Sequence, residues 1–207
     1  VVSNDVCLPG THTILVDKEA ECALAVKHLL KLGHRRIGLL LDKLDNSIRI
    51  RRLSGSRKAM EAAGEPCREE EIYIFGNDAQ AAPVQGAMKG YLLMKKVLER
   101  TPEITAVICM NDTMALGVLR AVREAGKRVP EDYSLVSFDD LEFSDSVYPS
   151  LTTVGLDKYN WGRKLAQYYF HLQESPEQEN TVAKEEEVLV ASRLLARHST
   201  RPVEAVK

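Results

Sequence analysis

The sequence has no surplus of positive charge: 28 lysines and arginines stand against 30 aspartates and glutamates, a formal net charge of −2. A chain that gripped DNA unaided would need a basic face, because neutralising phosphates supplies most of such affinity. If DNA is a partner, another segment holds it. Cysteine is sparse and scattered. Cys7, Cys22, Cys67 and Cys109 form no CxxC pair and no Cys/His cluster, which fits reduced, structural thiols in a cytoplasmic protein and argues against a bound metal. No apolar run approaches the roughly 20 residues that span a bilayer, so no membrane partner is expected. The opening Val1-Val2-Ser3-Asn4-Asp5 lacks the basic start and apolar stretch of a signal peptide. It also lacks an initiator Met, so the chain reads as beginning inside something longer. Catalytic arrangements are equally scarce. There is no GxSxG elbow, HExxH pair or Walker-type glycine loop, and His12, His28, His34, His171 and His198 lie far apart. His28, within a helical pattern, reads as a surface residue rather than a base. No enzymatic activity, metal or cofactor is expected.

What the sequence does hold is a rhythm. Apolar runs of strand length alternate with helical patterns, the signature of an α/β fold with a parallel sheet flanked by helices. Thr13-Ile14-Leu15-Val16 is short and apolar, and Asp17 after it can cap a helix. From Glu19 to Leu32 the residues Ala20, Ala23, Leu24, Val26, Leu29 and Leu30 recur at a helical period, and Gly33 supplies the stop. Arg36 to Leu41 is apolar on both faces, as a buried strand requires. A basic helix is expected from about Ser47 to Ala63, ending at Gly64, then a strand at Glu71 to Phe75 and a helix from about Pro83 to Arg100. A strand at Ala106 to Met110, a helix from Thr113 to Ala125 and a strand at Tyr133 to Phe138 complete a βαβαβαβ series between about Arg35 and Asp140. Right-handed crossovers put the carboxyl ends of its strands on one edge. Beyond it the rhythm breaks. Pro149 to Val154 reads as an extended crossing segment, Asp157 to Glu174 as a long amphipathic helix with the one Trp, Trp161, and Glu187 to Ala191 as a late strand. The tail from Arg197 is expected to be poorly ordered.

In an open parallel sheet, ligands bind outside the carboxyl ends of the strands. Those ends here are Asp42 to Ser47, which includes Asn46; Gly76 to Asp78; Asn111-Asp112; and Phe138-Asp139-Asp140. The set is rich in Asp and Asn, and Arg49, Arg51 and Arg52 arrive from the start of the second helix. Carboxylates, amides and a guanidinium suit a polyhydroxylated ligand, because each makes paired hydrogen bonds to neighbouring hydroxyls. Each residue also has a plainer reading. Asn111 and Asp112 fit an ordinary helix cap as well as a ligand contact. Arg52 belongs to a basic cluster with Arg49, Arg51, Arg57 and Lys58, so a solvated face competes with a site. Asp139 and Asp140 follow a strand with no obvious helix behind them, which favours function. As a carboxylate pair they also carry the one enzymatic alternative, a hydrolase-type reaction, although no nucleophile or metal site is spaced nearby.

Five stretches, in order and covering almost the whole chain, resemble the LacI/GalR family of bacterial transcription repressors. Ala25-Val-Lys-His-Leu-Leu-Lys-Leu-Gly-His-Arg-Arg-Ile37 is similar to its helix-to-strand junction. Arg52-Leu-Ser-Gly55 fits its Arg-Leu-x-Gly helix, and Asn111-Asp-Thr-Met-Ala-Leu-Gly117 its Asn-Asp-x-x-Ala-x-Gly signature. Val129-Pro-Glu-Asp-Tyr-Ser-Leu-Val-Ser-Phe-Asp-Asp140 and Pro149-Ser-Leu-Thr-Thr-Val154 are the other two.

The resemblance implies a periplasmic-binding-protein-like fold of two lobes with a small sugar-like effector between them. It also implies a DNA-binding domain ahead of the lobes, helix-turn-helix or winged helix, and a homodimer. By motif matching, Arg52 corresponds to the arginine that holds the effector, Asp139 to its carboxylate partner and Asn111 to a further polar contact. Asn46, Phe138 and Asp112 join them as ligand-binding candidates on the same edge. On this basis 1–34 is a crossing segment with the first helix, 35–148 the second lobe, 149–196 a crossing segment with a returning helix and late strand, and 197–207 a tail. The strand-helix pairs of a first lobe are missing. About Asn4 to Thr13 and Pro149 to Asp157 would act as hinges, and Thr113 to Ala125 with Val147-Tyr148 as the dimer interface. The chain departs from the family pattern at Ile48, at Leu156 and Lys158, and in the long segment Gly76 to Gly90, which leaves the effector unnamed. The rival reading is a solute-binding protein of a sugar transporter, which shares the fold but is exported.

Overall fold

The computed structural model describes residues 2–3, 12–13, 16–76, 84–174 and 192–203. Two short strands, β1 (Val2–Ser3) and β2 (His12–Thr13), pair in parallel. Helix α1 (Lys18–Lys31) begins where the Asp17 carboxylate accepts a hydrogen bond from the Ala20 amide at 2.9 Å. It ends before Gly33, whose φ of 91° strains any residue with a Cβ. There follow β3 (Ile37–Leu41), α2 (Ser47–Ala62), β4 (Ile72–Ile74) and α3 (Ala87–Arg100), then β5 (Ala106–Cys109), α4 (Asp112–Glu124) and β6 (Ser134–Phe138). This is the alternation the apolar rhythm predicts. Every residue of β3, β5 and β6 is buried, as expected of strands covered by helices on both faces.

The main sheet runs β4-β3-β5-β6, all parallel. It continues with β7 (Thr152–Leu156), parallel to β6, and β8 (Ser192–Leu195), antiparallel to β7. The chain steps outward from β3 to β4 and then crosses back over β3 to β5. That reversal opens a crevice at the carboxyl ends of β3 and β5. Right-handed crossovers place α2, with α1 packed against it, on one face of the sheet, and the packed pair α3 and α4 on the other. Leu29, Ile37, Leu39, Leu40, Met94, Ile104 and Leu135 lie fully buried in the core between them.

The structure departs from the sequence pattern in two places. The segment read as extended from Pro149 joins the sheet from Thr152, where Thr152 and Thr153 bury their hydroxyls by bonding them inward. The tail from Arg197 is ordered as far as residue 203 and lies across the amino ends of β6 and β7. Ser199 is fully buried there, its backbone carbonyl accepting from the Leu135 amide at 2.7 Å and its hydroxyl accepting from the Thr152 amide at 2.8 Å. Residues 187–191, read as a late strand, lie outside the described residues, as do 77–83 and most of the segment read as the first hinge. Helix α5 (Lys158–Glu174) exposes Tyr159, Tyr169 and Phe170.

Candidate functional site

Helix α2 buries one stripe, Arg52, Ser56 and Met60, at i, i+4 and i+8, while Arg51, Arg57 and Lys58 face solvent. The helical period thus turns a single arginine of the basic cluster inward. Arg52 is 6% exposed. Its Nη1 donates to the Met110 carbonyl at the end of β5, and its Nη2 donates to Asp139 Oδ1 at 2.9 Å. The guanidinium carbon lies 4.5 Å from the centre of the Phe138 ring, a cation–π contact with the last residue of β6. Glu21 of α1 stands on the other side, Oε2 3.7 Å from Nη2. The Nε–H is buried with no hydrogen-bond partner among the described residues.

After β6 the backbone enters the left-handed region, with φ of 97° at Asp139 and 47° at Asp140. Side chains rarely take this conformation, and it clusters at functional sites. The turn is held by the Asp139 amide donating to the Val154 carbonyl at 2.9 Å. It lifts the Asp139 carboxylate, 41% exposed, to the mouth of the crevice. Asp140 goes elsewhere: its carboxylate pairs with Arg197 at 2.8 Å and its carbonyl accepts from Lys158 at 2.6 Å. The two aspartates therefore serve separate cations and form no carboxylate pair of the hydrolase type.

The remaining predicted residues divide by role. Asn46 caps α2 through the Arg49 amide at 3.0 Å, and Asn111 caps α4 through the Met114 amide at 2.8 Å. Asn111 sits on the crevice edge next to Met110, so its amide nitrogen is the part that can meet a ligand. Phe138 is buried and reaches the site only as the platform under Arg52. Asp112 turns away from the crevice. It is fully buried, and its carboxylate accepts from the hydroxyls of Ser137, Thr153 and Ser144 and from the Leu141 amide. It fastens the site loop to β6 and β7.

One residue escaped the sequence reading, and one that it placed at a strand end has charge partners it did not name. Glu21 shares the buried stripe of α1 with Ala25 and Leu29, and a carboxylate on an apolar stripe was the available signal. Asp42, nearly buried at the end of β3, gathers Lys89 of α3 at 2.6 Å and Arg49 of α2 at 3.1 Å. Lys89 also lies 5.4 Å from the Phe75 ring centre. Asp45 pairs with Arg49 at 2.7 Å, so two carboxylates balance the two cations and brace the crevice wall.

A separate groove of about 770 Å³ lies away from the crevice, between α4, the loop after it, Val147–Tyr148 and His198. Tyr148 is 98% exposed at its rim. Arg120, Arg123, Lys127 and Arg128 make its lining basic, beside apolar Leu116, Leu119 and Val129. Cys22, Cys67 and Cys109 are free thiols, and burial pushes Cys22 up to about 11 and Cys67 up to about 12. Among the described residues no group of His, Cys, Asp or Glu is placed to hold a metal ion, and no helix is long and apolar enough to cross a membrane.

The sequence matches the family described as periplasmic binding protein-like domain over residues 26–200. The chain belongs to that family. Its relatives place it more narrowly, as a LacI-family effector-binding domain. It is 34% identical over 161 residues to the HTH-type transcriptional repressor PurR of Haemophilus influenzae (strain PittEE), an alignment covering 75% of this chain and 45% of the relative. The chain thus spans about half the length of the curated relatives it matches. A LacI family transcriptional regulator from Enterococcus faecium, with bound ribose, superposes with a TM-score of 0.80 at 26% identity, covering 99% of this chain and 70% of that one. The Lac repressor dimer, bound to operator and an anti-inducer, gives a TM-score of 0.76 at 29% identity over 97% of this chain and 65% of that one. These relatives of the LacI-family domain are transcription regulators, not enzymes, and the mostly parallel sheet flanked by helices is the fold they share.

Proposed function

We propose that the LacI-family domain senses a small, sugar-like effector that binds in the crevice at the carboxyl ends of the strands, against Arg52 and Asp139. The observation that carries this is the Arg52–Asp139 pair itself. A buried guanidinium is fixed by a carbonyl, a ring and two carboxylates, and one of those carboxylates is open to the crevice. Vicinal hydroxyls fit such a pair, because each hydroxyl both donates to Asp139 and accepts from Arg52. The ribose held by the Enterococcus relative supports a sugar. Residues 35–148 act as the second lobe, with the first lobe and the DNA-binding domain supplied by parts of a cytoplasmic repressor outside this chain. Effector binding shifts the population of lobe orientations, and the DNA-binding domains report the shift. The protein works as a homodimer, with the basic-apolar groove on α4 and Tyr148 as the self-contact.

The test is calorimetric titration of the intact protein with a panel of neutral pentoses, hexoses and disaccharides, ribose first. One of these is expected to bind. Arg52→Ala should then lower its affinity by at least ~10-fold, since a hydrogen bond to a charged group is worth about 1.5–3 kcal/mol. Asp139→Asn should lower it by at least ~10-fold through loss of the charge-assisted bond. Circular dichroism melting separates lost binding from lost fold. Unchanged affinity in both variants would refute the site, and a panel without a binder would refute the sugar reading.

A further inference from the structure

Arg52 has two carboxylates, and they differ in kind. Asp139 stands at the mouth of the crevice with 41% of its side chain exposed, and accepts from Nη2 at 2.9 Å. Glu21 lies behind the guanidinium, 4% exposed, with Oε2 3.7 Å from the same nitrogen. Glu21 comes from the first turn of α1 and faces inward. Its Oε2 also accepts from Lys18 Nζ at 3.0 Å, and its Oε1 accepts from the Ser192 hydroxyl of β8 at 2.7 Å. One buried side chain thus ties α1, α2 and β8 together at the back of the site.

We propose that Glu21 is the positioning residue of the arginine site, holding the Arg52 guanidinium from behind and selecting neutral, hydroxyl-bearing ligands against anionic ones. The proposal rests on reading Arg52 as the residue that meets the ligand. Attraction between charges strengthens as the surroundings become less polarisable, so the buried Glu21 keeps its hold on Arg52 when the crevice fills. Asp139, exposed and screened, is the partner whose contact a ligand shares. Selection follows from charge. Arg52 and Lys18 are met by Glu21 and Asp139, so the four side chains carry no net positive charge. A phosphate or carboxylate arriving at Arg52 finds a cation already neutralised and a fixed negative charge behind it. A hydroxyl meets no such opposition, because it donates to one carboxylate while accepting from the guanidinium. The Ser192 bond gives the same carboxylate a grip on β8, so one side chain links the arginine to that strand.

The test needs no known effector. Modification of Arg52 by phenylglyoxal is followed by peptide mass mapping in the intact protein, with exposed Arg100 at the end of α3 as the internal reference. Glu21→Gln keeps the shape and removes the charge, whereas Glu21→Ala removes both. Arg52 is expected to react at least ~10-fold faster in both variants, because the buried attraction is gone, with Arg100 unchanged. Inorganic phosphate is the anion probe. It should leave the wild-type Arg52 rate unchanged and slow the Glu21→Gln rate by at least ~3-fold, as an anion gains access to an unneutralised guanidinium. A wild-type Arg52 rate in Glu21→Gln overturns the positioning role. A Glu21→Gln rate indifferent to phosphate overturns the selection of neutral ligands. Should Glu21→Ala fail to fold, Glu21→Gln alone decides both points. A failed sugar titration beside a positive result here removes the effector reading and leaves Glu21 as the residue that fixes Arg52.

Discussion

Asp112 and Asp139 are both aspartates at strand ends, yet they ask opposite things of their surroundings. Asp139 keeps one oxygen toward an open crevice, whereas Asp112 spends its whole acceptor capacity on three hydroxyls and one amide inside the protein. Removing the Asp112 carboxylate strands four donors in a site that water does not reach. Asp112→Ala should therefore cost about 3–5 kcal/mol in urea denaturation. Asp112→Asn should cost less, about 1–3 kcal/mol, because hydroxyls can rotate to accept from the new amide while the Leu141 amide keeps its oxygen. Asp139→Asn, at an exposed position, should change stability by less than ~1 kcal/mol. An Asp112→Ala cost no larger than that of Asp139→Asn would mean that the buried network does not hold the site loop. The sequence places both aspartates at the carboxyl ends of strands, where the structure has them. It cannot say which faces inward, because that depends on Thr153 and Ser144, partners 41 and 32 residues away.

Helices α3 and α4 meet backbone to backbone, and glycine is the reason they can. A Cβ on Gly117 would stand 1.7 Å from the Ala87 carbonyl oxygen, and one on Gly90 2.0 Å from that of Met114. The glycine of the Asn-Asp-x-x-Ala-x-Gly signature is thus a packing residue, while the asparagine caps the helix and the aspartate fastens the loop. Gly117→Ala should destabilise by about 3 kcal/mol, because neither backbone can withdraw without moving its helix. Gly162→Ala, on α5 where a Cβ meets nothing, should instead stabilise by about 0.5–1 kcal/mol through helix propensity. Equal effects at the two sites in thermal melts would show that the close approach is not real. At this scale most of the fold was legible: caps at Asp17 and Asn111, stops at Gly33 and Gly64, and three strands too apolar to be anything but central. Strand β7 was not, because Thr152 and Thr153 look solvent-facing until their hydrogen-bond partners are known. The inward turn of Arg52 was hidden by its basic neighbours, although Ser56 and Met60 at helical spacing marked the buried stripe.

Across the whole molecule the amino ends of the strands are closed by the chain's own return, and histidines fasten that closure. His34, 3% exposed, has Nδ1 2.8 Å from the Thr105 hydroxyl and Nε2 2.9 Å from the Ser134 hydroxyl and 3.1 Å from the Arg201 carbonyl. The neutral ring satisfies all three, with the Nε2 proton directed to the carbonyl and Nδ1 accepting from Thr105. His28 meets the Thr200 hydroxyl at 3.0 Å on the same segment. Burial holds both rings below the ordinary histidine range, helped by Lys31 beside His28, and by Arg201, Arg35 and His28 itself around His34, although the Arg201 carbonyl pulls His34 upward. A histidine with a lowered pKa binds fewer protons folded than unfolded, so its contribution to stability is complete above about pH 6.5 and is lost as pH falls through the folded values. The urea midpoint should therefore fall between about pH 7.5 and about pH 5, and the exchange protection factors of the Leu135 and Val203 amides, both bonded through this closure, should drop before those in β3 do. The double variant His28→Gln, His34→Gln keeps hydrogen-bonding groups but cannot take up a proton, so its midpoint should fall less over the same range. A double variant as acid-sensitive as the parent would place the titrating groups elsewhere. Uniform exchange across the sheet would mean that the closure opens only with the whole fold.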